Sequence, residues 1–251
     1  MENKVAIVTG AAGGIGSAVV HALRERGALV AAVDRDAAAL ARSVAGPGVE
    51  PFSADVTDAK AVESAVDAVE HVLGPVEYLV NAAGVLRLGE ARKTADADWH
   101  DTFAVNTTGV FFMSRAVVNR MTQRQRGAIV TVASNAAGTP RTDMSAYAAS
   151  KAAATMFTTC LGLEVARHGI RCNVVAPGST DTPMLSSMWH DETGPRTTID
   201  GNLASYRLGI PLGRIARPAD IADAVVFLLS DRAAHITMHA LTVDGGATLG
   251  R

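Results

Sequence analysis

The run Val5-Ala6-Ile7-Val8-Thr9 passes without a break into Gly10-Ala11-Ala12-Gly13-Gly14-Ile15-Gly16, and a helical pattern through Val19, Val20 and Leu23 follows at once. An unbroken apolar run of this length suits a strand buried on both faces, since a strand with one wet face alternates polar and apolar residues. A helix that starts directly after such a strand and leads to another strand makes a crossover, and the two strands it joins are then parallel. The same alternation continues along the chain. Strand-like runs lie near 4–9, 28–33, 49–54, 76–81, 127–133, 170–176 and 240–243, with helical patterns near 14–27, 58–73, 96–124, 145–168 and 218–230. The expected fold is α/β: a doubly wound, parallel, seven-stranded sheet with helices on both faces, formed by residues 1–251 as a single domain. A hydrophobic content of 48% is sufficient for a sheet covered on both sides. The longest stretch without a pattern runs from about Thr180 to Asn202, and a substrate flap is expected over about 180–207.

A formal charge of −2 gives no basis for binding nucleic acid or an anionic membrane. No basic-then-apolar leader precedes the first strand, and no apolar run approaches the length of a membrane span. Cys160 and Cys172 lie in apolar contexts and are expected to be buried, reduced thiols, which suits a cytoplasmic protein. His235 and His239 stand four apart with no acid in an HExxH arrangement, so no metal is expected.

In a sheet of this kind ligands bind beyond the carboxyl ends of the strands. Glycines between strand and helix let backbone N–H groups approach a pyrophosphate, and the helix N-terminus adds partial positive charge. Gly10, Gly14, Ile15 and Gly16 are therefore candidate dinucleotide contacts. Asp34 closes the second strand-like run 18 residues after Gly16, where a carboxylate can bind a ribose 2′-hydroxyl. It would repel a 2′-phosphate, which favours NAD over NADP, although Arg35 follows it. Asn81-Ala82-Ala83-Gly84 forms a second strand-end loop. Tyr147 and Lys151 stand four apart in a helical pattern, on one face. A phenol ordinarily ionises near pH 10. A neighbouring ammonium favours the phenolate and makes the tyrosine a usable base.

Thr9-Gly10-x-x-x-Gly14-Ile15-Gly16, Asn81-Ala82-Ala83-Gly84, Asn106, Ser134, Tyr147-x-x-x-Lys151, Pro177-Gly178 and Val243-Asp244-Gly245-Gly246 fall in one order over nearly the whole chain. In this the chain resembles the short-chain dehydrogenase/reductase family, with Ala82 in place of the commoner second asparagine of its loop. The resemblance implies a Rossmann fold and a nicotinamide cofactor. It implies Tyr147 as base, Lys151 on the nicotinamide ribose, Ser134 on the substrate oxygen and Asn106 holding a water between Lys151 and solvent. It also implies cofactor contacts at Asp55, Val56, Asn81, Ala82, Gly84, Pro177, Gly178 and Thr180, a structural Asp244-Gly245-Gly246, and a homotetramer built on the helices 96–124 and 145–168.

Leu79–Gly89, Arg126–Lys151, Arg171–Thr182 and Leu208–Pro218 resemble, in particular, members that oxidise a carboxylated cyclohexadiene diol to a catechol acid on the way to catechol siderophores. A carboxylated substrate calls for a cation, and Arg87 and Arg141 are the candidates beside Ser134 and Tyr147. Met144, Met184, Met188 and Trp189 would suit an apolar wall, or merely close the flap. The alternatives are another short-chain alcohol dehydrogenase or a 3-oxoacyl-carrier reductase, and a non-catalytic NAD-binding module.

Overall fold

A computed structural model describes residues 1–43, 46–189 and 191–250; His190, within the expected flap, and Val44, Ala45 and Arg251 lie outside the described residues. The chain begins β1 (Val5–Thr9), α1 (Gly14–Arg24), β2 (Leu29–Asp34), α2 (Ala37–Ser43), β3 (Val49–Ser53), α3 (Ala59–Leu73) and β4 (Val76–Asn81). It continues with α4 (Asp96–Phe103), α5 (Gly109–Arg124), β5 (Gly127–Val132), α6 (Ser145–Val165) and β6 (Ile170–Pro177). The remainder is α7 (Pro183–Ser186), α8 (Gly194–Asp200), β7 (Gly201–Asn202), β8 (Arg207–Leu208), α9 (Pro218–Leu229) and β9 (Ala240–Val243).

Seven strands form one sheet in the order β3-β2-β1-β4-β5-β6-β9, and every neighbouring pair is parallel. The expected α/β class and the seven strands are as read from the sequence. Side chains of β1 divide by parity: Ala6 and Val8 enter the core beneath α1 and α9, with Val19, Leu23, Ile221 and Val225. Val5 and Ile7 enter the opposite core beneath α3 and α5, with Val66, Met113 and Val117. Burial on both faces is why β1 is an apolar run, whereas the edge strand β3, with Glu50 and Pro51 exposed, is not. Asp58 caps α3, its carboxylate accepting from Lys60 N and Ala61 N. Arg124 fastens α5 to the same layer, donating to Glu70 Oε1 at 2.8 Å and to the Val76 carbonyl at 2.9 Å.

Chain order reverses between β1, which leads outward through β2, and β4, which leads outward through β5. The loops after β1 and β4 therefore diverge to opposite sides and leave a crevice between them. Gly10, Asp34, Asp55, Ala82, Ser134 and Gly178, which end or closely follow β1 to β6 in turn, stand at this edge of the sheet.

Four expectations change. The single helix over 96–124 is interrupted by a π-turn at Ala104–Thr108, whose extra residue turns Asn106 inward. Gly109 then packs so closely on Val56 that a Cβ would lie 2.8 Å from Val56 Cγ2. The stretch without a pattern holds α7, α8 and the two-residue strands β7 and β8, which pair antiparallel. Alanine-rich α2 is an added element. Cys172 is buried, which pushes its thiol up to about 12, but Cys160 is exposed on α6; neither forms a disulfide.

Leu79 is fully buried in the core beneath α3 and α5. Leu79→Ala should lower unfolding free energy by about 2–5 kcal/mol, read as a reduced urea midpoint at unchanged slope.

Candidate active site

The crevice at the reversal point is a cleft of about 280 Å³ whose walls include Gly10, Gly13, Gly14, Ile15, Gly16, Asp34, Asp55, Val56, Ala82 and Gly84. Close packing dictates its glycines. At Gly10, φ is +64° and a Cβ would stand 2.7 Å from Ala83 Cα; at Gly16 a Cβ would stand 2.0 Å from the Gly10 carbonyl oxygen. The β4 loop is held beside them by Thr9, whose hydroxyl accepts from Ala82 N at 3.1 Å and Ala83 N at 3.2 Å. Asp34 is fixed at the end of β2 by two amides, Ala12 N to Oδ2 and Asp36 N to Oδ1, both 3.1 Å. Arg35 also faces the cleft. Asp55 accepts from Thr57 N and Thr57 Oγ1, and the amide of Thr57 holds its carboxyl below the ordinary range despite partial burial. Backbone amides of the glycine loop as donors, with the Asp34 carboxylate at the rim as acceptor, form a set that fits a dinucleotide.

Asn81 takes another place. Its side chain points into the protein, where Nδ2 donates to Ser114 Oγ at 3.0 Å and Thr131 Oγ1 at 3.4 Å. It borders the crevice through the loop that follows it, while Ala82, Ala83 and Gly84 supply the wall.

Below the cleft, Tyr147 and Lys151 share one face of α6, 9% and 5% exposed. Lys151 Nζ donates to the Val132 carbonyl at 2.9 Å and lies 5.9 Å from the Tyr147 ring centre. Burial lowers Lys151 to about 8. Burial also pushes the Tyr147 phenol up, opposed by its hydrogen bond with Ser134. In the unliganded chain the phenol is thus held neutral, contrary to the depressed ionisation the Tyr-Lys spacing suggests. Desolvation is the largest influence on both groups. Ser134 caps a 3₁₀ turn at Asn135–Ala137, accepting from Ala136 N at 3.1 Å. Asn106 spends its amide on the next loop: Oδ1 accepts from Val85 N at 2.9 Å, and Nδ2 donates to the Val85 carbonyl and Ser150 Oγ, both 3.0 Å. The π-turn thus anchors the strand-end loop against α6.

Ser134 and Tyr147 open onto a second cavity of about 110 Å³, walled also by Arg141, Met144, Met184, Met188, Pro177, Gly178, Thr180 and Arg207. Ile15, Thr182 and Met184 line both cavities. Arg87, expected as a carboxylate partner, is corrected: it is 47% exposed and faces Asp98 across 3.6 Å, outside both cavities. Arg207, from β8, also lines the cavity, and the stretch around it has no sequence pattern that singles it out. Trp189 braces the flap from within, donating to Thr198 Oγ1 at 3.2 Å. Asp244, read as structural, ties the turn carrying Ser134 to the C-terminal segment: its carboxylate accepts from Asn135 Nδ2 at 3.2 Å, Gly246 N at 2.9 Å and Thr248 Oγ1 at 2.7 Å.

A sequence model of the short chain dehydrogenase family matches residues 4–193. The 2,3-dihydro-2,3-dihydroxybenzoate dehydrogenase of Bacillus subtilis (strain 168) is 53% identical over 255 residues, spanning 100% of this chain and 98% of the relative. The enzyme of that name from Escherichia coli (strain K12) is 44% identical, spanning 97% and 96%. The crystal structure of gox2181 superimposes with a TM-score of 0.91 at 34% identity, covering 99% of this chain and 97% of the other.

No membrane-crossing helix is found among the described residues. The displaced Lys151 gives a test that needs no substrate. Its folded value, about 8, lies below the ordinary value of 10.5, so the fold disfavours the ammonium and the unfolded chain binds the extra proton. The penalty is complete below pH 8 and disappears as pH rises towards 10.5. Relative to Lys151→Met, the protein should therefore gain about 2 kcal/mol between pH 7.5 and 10, measured by urea unfolding.

Proposed function

The chain belongs to the short-chain dehydrogenase family, and we propose that it oxidises 2,3-dihydro-2,3-dihydroxybenzoate to 2,3-dihydroxybenzoate with NAD, as a step towards catechol siderophores. The observation that carries this reading is a guanidinium, Arg141, in the same small cavity as Ser134 and Tyr147. A cavity lined this way suits a ring with a carboxylate at one end and a carbinol at the other. The similarity to two enzymes of that name spans 100% and 97% of this chain, which also supports the reading.

In this reading Gly10, Gly14, Ile15 and Gly16 hold the pyrophosphate, Asp34 the adenosine ribose, and Asp55 and Val56 the adenine. Ala82 and Gly84 form the wall beside them, with Asn81 supporting it. Pro177, Gly178 and Thr180 border the nicotinamide end. Bound NAD supplies the hydride acceptor. Ser134 donates to the substrate oxygen, and Tyr147 removes its proton as the carbinol becomes a ketone that tautomerises to the catechol. Lys151, charged at neutral pH with a value near 8, stabilises the phenolate as it forms and binds the nicotinamide ribose. Asn106 is the residue proposed to hold a water leading out from Lys151. Aromatisation of the product draws the reaction towards NADH. Asp34 stands against the NADPH-dependent 3-oxoacyl-carrier reductases. We also propose a homotetramer, supported by exposed apolar side chains on α5 (Phe111, 36%) and α6 (Met156, 62%, and Leu163, 70%).

Absorbance at 340 nm should rise rapidly with the dihydrodiol acid and NAD, with catechol acid as product. Turnover of neutral cyclic alcohols in its place would overturn the substrate. Tyr147→Phe should lower kcat by about 10²–10⁴ while NAD still binds in a fluorescence titration. Asp34→Ala should cost about 1.5–3 kcal/mol in kcat/KM for NAD and narrow the preference over NADP, measured by the same assay with both cofactors.

A further inference from the structure

Arg207 lines the substrate cavity from the short hairpin made by β7 and β8, an element separate from α6 and from the loop that carries Arg141. The hairpin's geometry is closely specified. Gly201 has φ +85°, and a Cβ there would stand 2.6 Å from the Arg207 carbonyl oxygen; Asn202 pairs with Arg207 across the two strands. Tyr206 adopts the left-handed region, φ 54°, immediately before it. A non-glycine residue in that region marks a turn held by its surroundings.

Arg141 meets Arg207 in this cavity of about 110 Å³, and both side chains are partly buried. Among the described residues neither guanidinium has a hydrogen-bond or ion-pair partner, whereas Arg120, Arg124, Arg196 and Arg214 each pair with a carboxylate. Asp244 is the anion that acts on Arg141, but its carboxylate is already occupied by Asn135, Gly246 and Thr248. Each arginine is depressed by burial, and Arg141 further by the charge of Arg207. Two unpaired, partly desolvated cations facing one small space are unfavourable until an anion joins them.

We propose that Arg207 and Arg141 together clamp a single carboxylate of the substrate, and that this charge fastens the β7–β8 hairpin over the cavity. The proposal rests on the carboxylated-substrate reading and adds to it a specificity-determining residue on a different element. Its consequence is selectivity by closure. A neutral diol fills the same volume but leaves two like charges opposed, so the hairpin is tied down only by an anionic ring.

The test compares wild type with Arg207→Ala, Arg207→Lys and Arg141→Ala, using the dihydrodiol acid and its methyl ester with NAD. Arg207→Ala should lower the ratio of kcat/KM for acid over ester at least tenfold, chiefly through KM of the acid, and Arg207→Lys should restore part of it. In a Trp99→Phe background, which leaves Trp189 in the flap as the only tryptophan, fluorescence should change on adding 2,3-dihydroxybenzoate, at concentrations at least tenfold higher in Arg207→Ala. Catechol should give the same response in both proteins. An equal loss for acid and ester would make Arg207 a hairpin residue only and overturn the clamp, as would an acid preference that survives Arg207→Ala. A wild type that ignores the dihydrodiol acid, yet binds 2,3-dihydroxybenzoate through Arg207, would sink the substrate reading and leave the clamp standing.

Discussion

Backbone lies against backbone at the carboxyl end of β1, and the site depends on that contact. Gly10 passes so near Ala82 and Ala83 that no side chain fits between them, and Gly16 turns back onto the Gly10 carbonyl. The Thr9 hydroxyl closes the arrangement by accepting both amides of the neighbouring loop. Because β1 and β4 are adjacent where chain order reverses, this one junction fixes the glycine loop, the Ala82–Gly84 wall and the start of α1 together. Moving any of them by the width of a methyl group would close the cleft or separate its two walls.

Beneath that junction the protein accepts electrostatic cost. Lys151 and Tyr147 are withdrawn from water on α6, and each is biased towards its neutral form. Lys151 keeps one carbonyl, that of Val132, as a hydrogen-bond partner. Such a pair is poised: a bound positive or negative group nearby changes the ionisation of both, because little water remains to screen it. The hydroxyl of Ser134 and the amide of Asn106 hold the surrounding turns in place by bonds to backbone, so the poised groups sit on rigid supports.

The seven strands of the main sheet were legible to within a residue or two; for the inner ones, β2, β1, β4, β5 and β6, the reason is burial on both faces, which leaves short, mostly apolar runs. Glycine spacing and the Tyr147–Lys151 offset were legible for a related reason: each is a local consequence of geometry along one element. What escaped was relational. The extra residue at Ala104–Thr108 leaves the hydrophobic period of the helix nearly intact while turning Asn106 inward. Alanine-rich α2 has no polar face to contrast with an apolar one. Arg87 lies in a motif-bearing loop and yet faces Asp98, while Arg207 lies in a tract without pattern and yet faces Ser134's cavity. Distance along the chain from a motif does not give a side chain's direction.

Ile15, Thr182 and Met184 are walls of both cavities, and Thr182 lies so close over the glycine loop that a Cβ at Gly14 would stand 2.6 Å from its methyl carbon. The two chambers therefore cannot diversify independently. A lineage that reshapes this partition to admit a new ring also disturbs the grip on the coenzyme. Changes on the far wall, at Met144, Arg141 or the hairpin, carry no such penalty. Descendants with altered substrates should accordingly differ first on that side, and keep the shared partition longest.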